Sequence, residues 1–230
     1  MIAVISDIHG NAWALRAVLQ ELDRLRPALV AVGGDLAFGG PAPAECVELI
    51  RRRGYPAIRG NTDEWVTDPA AAPDPISRWA AERLGDEQRR YVASLPFLWR
   101  YAQGARGDLV VVHATPWSIT EVVPPDAGPL LVERVFQEAN AAAVVYGHIH
   151  VAHQRRADSR LLVNAGSVGM PFDGDQRASF ATLEETSEGW SAQIHRIPYD
   201  IDAAVGASRK SDNPGGERYA RRLETAQFGP

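Results

Sequence analysis

Short apolar runs recur along the first 150 residues, and most end in a glycine, an aspartate or a histidine. Ile2-Ala3-Val4-Ile5-Ser6 leads to Asp7-Ile8-His9-Gly10-Asn11, and Ala28-Leu29-Val30-Ala31-Val32 leads to Gly33-Gly34-Asp35. Asp108-Leu109-Val110-Val111-Val112 stops at His113, and Val144-Val145-Tyr146 stops at Gly147-His148-Ile149-His150. Runs of this length without polar alternation predict strands buried on both faces. Between the first two, Ala12, Leu15, Val18, Leu19, Leu22 and Leu25 repeat at helical spacing, with Asn11 as N-cap and Pro27 as the stop. A second helix is predicted over 44–53, ending in three arginines before Gly54, and Tyr55-Pro56-Ala57-Ile58 reads as a third, weaker strand. Strands alternating with helices imply right-handed crossovers and a parallel sheet.

The pattern changes twice. From residue 66 to 75 it dissolves into alanine, proline and aspartate, and two short helices are predicted over 76–84 and 87–95. We read 66–105 as a helical insertion over the sheet, with Trp79, Tyr91, Phe97 and Trp99 packing. A proline-rich loop spans 114–128, and a helix over 130–138 precedes the Val144 strand. Past His150 the segments 152–157, 160–164, 178–183 and 190–197 read as successive antiparallel strands. Two helices over 201–209 and 217–226 close the chain. The organisation expected is one α/β domain over 1–200, with residues 201–230 as an extension packed on it.

Composition narrows the class. The 230 residues are 45% hydrophobic, enough for a substantial core, and carry a net charge of −5. That balance gives no reason to expect bulk attraction to nucleic acid or to a membrane surface. No run approaches the ~18 apolar residues of a membrane span, and the N-terminus shows no basic-then-apolar leader. Cys46 is the single cysteine, falls on an apolar helix face and suits a reducing cytoplasm.

The polar residues at the strand ends are the candidates for chemistry. In a parallel α/β sheet the crevice beyond the carboxyl ends of the strands is where ligands bind. Taken singly, each has a plain alternative. Asp7-Ile8-His9 could be a turn with a helix cap, Gly34-Asp35 a common turn, and Asn61 a cap. His113 could be a satisfied strand-end histidine, and His148-Ile149-His150 a solvated turn. Taken together they form a set of carboxylate, imidazole and amide donors suited to Mn, Fe, Zn or Mg, without the thiolates of a structural zinc site. So many ligands with a carboxylate free to bridge fit two ions better than one.

The series Asp7-Ile8-His9, Gly34-Asp35, Gly60-Asn61-Thr62-Asp63, His113 and Gly147-His148-Ile149-His150 resembles the calcineurin-like metallophosphoesterase superfamily, and within it the small bacterial and archaeal phosphodiesterase branch. Asn164-Ala165-Gly166-Ser167-Val168-Gly169 and Arg177-Ala178-Ser179-Phe180 extend the likeness to about residue 184. The resemblance implies a two-layered mixed β-sandwich flanked by helices. It implies one metal held by Asp7, His9 and His150, a second held by Asn61, His113 and His148, and Asp35 bridging both. Manganese is expected first, with iron, zinc, nickel or magnesium as alternatives. Such a centre hydrolyses phosphoesters: two dications ~3.5–4 Å apart bring the pKa of a shared water toward ~7, and the resulting hydroxide attacks.

One position departs from the superfamily. Thr62 stands where a histidine usually protonates the leaving group, and a hydroxyl is no proton reservoir near pH 7. The expected catalytic set is therefore Asp35, Asn61, Thr62 and His113, acting on phosphodiesters or phosphoanhydrides of a small molecule, a nucleotide among them. Asp63 either orients a ligand imidazole or caps a helix. Arg59 either reaches a substrate phosphate, beside Asn61, or forms a surface ion pair. His153 and His195 receive no metal role. The alternatives are a phosphomonoesterase or protein phosphatase, or a nucleotide-binding module that keeps its metals without turnover.

Overall fold

The computed structural model describes residues 1–102 and 104–229. In chain order it contains β1 (Ile2–Ile5), α1 (Ala12–Leu25), β2 (Leu29–Val32), α2 (Pro43–Arg53), α3 (Asn61–Trp65), α4 (Pro75–Arg83), α5 (Asp86–Ala93), β3 (Leu98–Tyr101) and β4 (Leu109–Val112). There follow α6 (Pro129–Ala139), β5 (Ala143–Tyr146), β6 (His153–Ala157), β7 (Arg160–Asn164), β8 (Ala178–Thr186), β9 (Gly189–Ile197), α7 (Ile201–Lys210) and α8 (Gly216–Thr225). Among the described residues no helix is long and apolar enough to cross a membrane.

The strands form two mixed sheets, ordered β2-β1-β8-β9 and β3-β4-β5-β7-β6. Their period of two explains why the apolar runs are unbroken. Ile2 and Val4 point between the sheets, where they meet Val111, Val145, Val163 and Trp190. Ala3 and Ile5 point outward onto Leu15, Val18 and Leu22 of α1. In the second sheet Leu109 and Val111 face inward, while Val110 and Val112 face Val132, Val135 and Phe136 of α6. Each central strand is thus sandwiched, and neither face tolerates a polar residue.

Three expectations change. Tyr55-Pro56-Ala57-Ile58 is not a strand but a single parallel bridge, Val32 to Ala57. Pro56 has no N–H for a ladder, so pairing cannot extend through it. The stretch 66–105 is not wholly helical: its end, β3, is the edge of the second sheet and runs antiparallel to β4. Three of the four aromatics expected to pack, Trp79, Tyr91 and Trp99, do so against the core. Trp79 is buried in the core, and Trp99 lies against the apolar layer between the sheets. Finally, the strands after His150 are not one antiparallel series. β7 pairs parallel with β5 and antiparallel with β6, and β8 and β9 join the first sheet.

The chain after residue 200 lies against loops that later prove important. Met170, Ala204, Val205, Tyr219, Ala220 and Leu223 form a buried cluster. Tyr219 OH donates to Gly169 O at 3.0 Å, and Asn213 Nδ2 donates to Gly39 O at 2.8 Å.

Trp190 ties the two layers. It is buried between the sheets, and its Nε1–H donates to Gly107 O at 3.0 Å. Trp190→Ala should cost about 3–5 kcal/mol. The expected outcome is a lower denaturant midpoint with an unchanged slope, measured by equilibrium unfolding.

Candidate metal centre

The candidate residues sit where four of the strands stop. Asp7 and His9 follow β1, Asp35 follows β2, His113 follows β4, and His148 and His150 follow β5. Five of these six adopt left-handed backbone: Asp7 (φ 56°), His9 (48°), Asp35 (57°), His148 (64°) and His150 (57°). A non-glycine residue there costs roughly 1–2 kcal/mol, so the surroundings must impose it. They do so through the loop backbone. Asp7 N–H donates to Gly34 O, His9 N–H to Asp35 O, and Gly169 N–H to Asp7 O, at 3.0, 2.9 and 3.0 Å.

Backbone carbonyls also fix the imidazoles. Nδ1 of His9 lies 2.9 Å from Phe38 O, that of His113 2.9 Å from Gly33 O, and that of His150 2.6 Å from Met170 O. A carbonyl only accepts, so each Nδ1 carries the proton and each Nε2 presents a lone pair. His148 is turned the other way, with Nε2 3.1 Å from Thr120 O, which leaves Nδ1 as its free lone pair.

The lone pairs converge on carboxylates and on each other. His9 Nε2 and His150 Nε2 are 3.1 Å apart, and His150 Nε2 is 3.2 Å from Asp7 Oδ1. Asp35 Oδ2 lies 3.4 Å from His9 Nε2 and 3.6 Å from His113 Nε2, so it reaches both sides of the cluster. Asn61 Oδ1 is 3.0 Å from His113 Nε2. Two groups of potential ligand atoms result, Asp7–His9–His150 and Asp7–Asp35–His113, each within 4.8 Å. His148 belongs to neither, although its ring stands edge-on to His113 with centroids 5.1 Å apart.

Electrostatics favour the same occupant. Burial would raise Asp7, but the neighbouring His150, His113 and His9 together outweigh it and hold the carboxyl far below its usual range. Burial and the adjacent His150 bring His9 down to about 4, so this imidazole is neutral at pH 7. Buried carboxylates beside imidazole nitrogens form a donor set that fits divalent cations of the first transition row or magnesium.

The remaining sequence candidates fall around this core. Thr62 N–H donates to Asp35 Oδ1 at 2.9 Å, and the buried Thr62 hydroxyl has no partner among the described residues. Asp63 touches no imidazole. Its carboxylate accepts from the N–H groups of Gly60, Asp35 and Leu36 at 2.8, 2.7 and 2.8 Å, so it caps α3 and fixes the Asp35 loop. Arg59 lies outside the cluster and faces Glu64 at 3.4 Å. His153 and His195 also stay outside, bound to Tyr146 and Thr182.

Some contributors were invisible in the sequence. The carbonyls of Gly33, Phe38, Thr120 and Met170 carry no side-chain signature. Phe172, whose ring stacks on His150 at 4.5 Å, carried none either. Asn164 and Ser167 did carry a signal as part of a motif. Asn164 Nδ2 donates to Gly147 O and Ser167 Oγ donates to Asp7 O, both at 2.7 Å.

Gly147 allows this density. A Cβ there would fall 2.1 Å from Asp7 Oδ2 and 2.3 Å from Ser6 Oγ. Gly147→Ala should displace Asp7 and weaken metal retention at least tenfold with little loss of secondary structure. Metal analysis and circular dichroism on one preparation check this.

Comparison with known proteins agrees with this geometry. The calcineurin-like phosphoesterase superfamily domain matches residues 1–188. An uncharacterized protein of Methanocaldococcus jannaschii is 31% identical over 227 residues, covering 89% of this chain and 90% of its own. The crystal structure of a metallophosphoesterase from Sphaerobacter thermophilus superposes with a TM-score of 0.82 at 30% identity, over 98% of this chain and 99% of the other. A hypothetical protein from Pyrococcus horikoshii shares the fold, with a TM-score of 0.87 at 21% identity and full coverage of both chains. With two mixed sheets, candidate ligands at the strand ends and a family match over most of its length, this chain belongs to the calcineurin-like phosphoesterase superfamily, a metal-dependent family.

Proposed function

We propose that the chain is a metal-dependent hydrolase that cleaves phosphodiester or phosphoanhydride bonds, with two divalent ions, manganese first among them, at the strand ends. The observation that carries this reading is the pair of imidazole lone pairs, His9 Nε2 and His150 Nε2, facing one another 3.1 Å apart beside two buried carboxylates. Ring nitrogens so placed need a proton or a metal cation between them, and the buried carboxylates beside them suit a metal cation. Asp7, His9 and His150 would hold one ion, and Asn61, His113 and His148, through its Nδ1, the other, with Asp35 shared. Bound there, two dications neutralise phosphate charge and supply an activated water.

The chain's own groups then have distinct tasks. Asp63 locks the Asp35 loop from behind through its three N–H contacts. Asn61 heads α3 and turns its amide oxygen toward His113. Thr62 presents a buried hydroxyl without a partner, a hydrogen-bond donor for a phosphate oxygen and a poor proton source for a leaving group. Arg59 is half-exposed and paired with Glu64, which supports the ion-pair reading for it over phosphate contact.

Two experiments test the proposal. Metal-stripped protein reloaded with Mn²⁺ should bind up to two ions per chain and hydrolyse bis(p-nitrophenyl) phosphate. Asp35→Asn should lose at least one ion and several orders of magnitude in rate while remaining folded, since it removes the charge that screens the two cations from each other. Near wild-type turnover in that variant, with contaminating phosphatase excluded, would rule out Asp35 as the bridge.

A third experiment addresses Thr62. A general acid contributes roughly 10²–10⁴ in rate for poor leaving groups and little for stable anions. Without one, hydrolysis should depend steeply on leaving-group pKa and favour diesters over monoester dianions. Thr62→His should flatten that dependence and raise the monoester-to-diester ratio. A variant with full metal occupancy and an unchanged slope would show that position 62 does not face the leaving group.

A further inference from the structure

Two buried hydroxyls stand apart from the rest. Among the described residues the buried side chains of Ser77, Thr115, Ser167, Ser179, Thr182 and Ser208 each hydrogen-bond through their oxygen. The oxygens of Ser6 and Thr62 have no partner. A hydroxyl taken from water and left unpaired costs stability, so a fold that keeps one calls for a reason. The Thr62 hydroxyl already has a task. That of Ser6 has none.

Ser6 follows β1 directly, precedes Asp7 and is buried. Its carbonyl accepts from Val168 N–H at 2.9 Å, which fixes its backbone. Its side chain lies where the two sheets meet, between Gly33 beyond β2 and Gly147 beyond β5. A Cβ on Gly33 would fall 2.6 Å from Ser6 Oγ. A Cβ on Gly147 would meet Ser6 Oγ at 2.3 Å and Asp7 Oδ2 at 2.1 Å, so these two oxygens share one side of the Gly147 backbone. The carbonyls of both glycines are already engaged, Gly33 O by His113 Nδ1 and Gly147 O by Asn164 Nδ2.

Asp7 has the complementary lack. Its carboxylate is fully buried, yet among the described residues a single backbone N–H reaches it. That N–H belongs to His148 and is divided between Oδ1 at 3.2 Å and Oδ2 at 3.1 Å. Asp63, by contrast, takes three separate N–H groups. The two Asp7 oxygens also differ in outlook. Oδ1 is 3.2 Å from His150 Nε2 and 3.8 Å from His9 Nε2, the nitrogens that would share its ion. Oδ2 is the oxygen beside Ser6. A carboxylate that binds a cation through one oxygen is held in place by donors to the other.

We infer that Ser6 is a positioning residue of the metal centre, whose hydroxyl donates to Asp7 Oδ2 and leaves Oδ1 to the cation held with His9 and His150. Ser6 acts through Asp7 and touches neither ion nor substrate. The inference rests on the metal-centre part of the proposed function and not on the hydrolysis. In the geometry observed the hydroxyl contributes nothing to folding. Its deletion should therefore spare stability while it weakens cation binding, a separation that a merely structural hydroxyl would not produce.

Ser6→Ala and Ser208→Ala, each compared with wild type as full-length protein, test this. Ser208 Oγ donates to Gly216 O at 2.8 Å, between α7 and the start of α8, and serves as the paired control. In metal-stripped protein Ser6→Ala should melt at or above the wild-type temperature, and Ser208→Ala below it. In calorimetric titration with Co²⁺, Ser6→Ala should bind one ion at least tenfold more weakly, and Ser208→Ala should match wild type. The visible absorption of bound Co²⁺, which reports its coordination, should change in Ser6→Ala alone. The inference is overturned if Ser6→Ala binds Co²⁺ with wild-type affinity and spectrum, or if the stripped variant melts as far below wild type as Ser208→Ala. A wild type that binds no Co²⁺ would overturn it together with the metal-centre reading. Diester hydrolysis by the Mn²⁺-loaded wild type, measured on the same preparation, reports separately on the hydrolase reading.

Discussion

The constraint on which the structure turns is a concentration of electron pairs with few protons to share. Three imidazoles have their Nδ1 protons committed to backbone carbonyls, and a fourth has its Nε2 proton committed to Thr120. The nitrogens left over point at one another and at Asp7 and Asp35, in a largely buried volume. In such surroundings repulsion is weakly screened, and a fold arranges it only when something positive belongs there. The features around the cluster follow from holding it. Left-handed backbone at five residues beyond three strands turns side chains into the crevice, glycines at 60 and 147 make room for the carboxylates, and Asp63 anchors the Asp35 loop.

Much of this was legible in the sequence because two independent regularities coincide. Strands buried on both faces leave uninterrupted apolar runs, and a site at the strand ends leaves a polar residue at the end of each run. β1 with Asp7, β4 with His113 and β5 with His148 could therefore be read together. What escaped was the geometry that pairing creates. β3 is an edge strand of mixed character, Leu98-Trp99-Arg100-Tyr101, whose partner lies across a turn. β7 looked like the return arm of a hairpin with β6, which it is, and nothing local announces that its other edge joins β5 in parallel.

The same limit applies within the site. Residue types indicated which side chains could bind a cation, while their orientation comes from main-chain carbonyls that any residue could have supplied. His148 shows the consequence. One residue separates it from His150, yet one ring is fixed through Nδ1 and the other through Nε2, so their free nitrogens differ. Asp63 could have oriented an imidazole or capped a helix. Three N–H contacts around α3 and the Asp35 loop decide for the backbone.

The two sheets contribute to the cluster in equal measure, and this bears on how the molecule comes apart. Asp7, His9 and Asp35 extend from strands of the first sheet, and His113, His148 and His150 from strands of the second. An ion held among them is a cross-link between layers that are otherwise joined by side-chain packing. Prising the sandwich open would have to break coordination before it exposed the Val4–Val145 layer, so a loaded molecule gains a kinetic barrier that a stripped one lacks. Resistance to proteolysis and to heat would then track the rate at which ions leave. Persistence in the cell would be set by metal exchange as much as by the hydrophobic core.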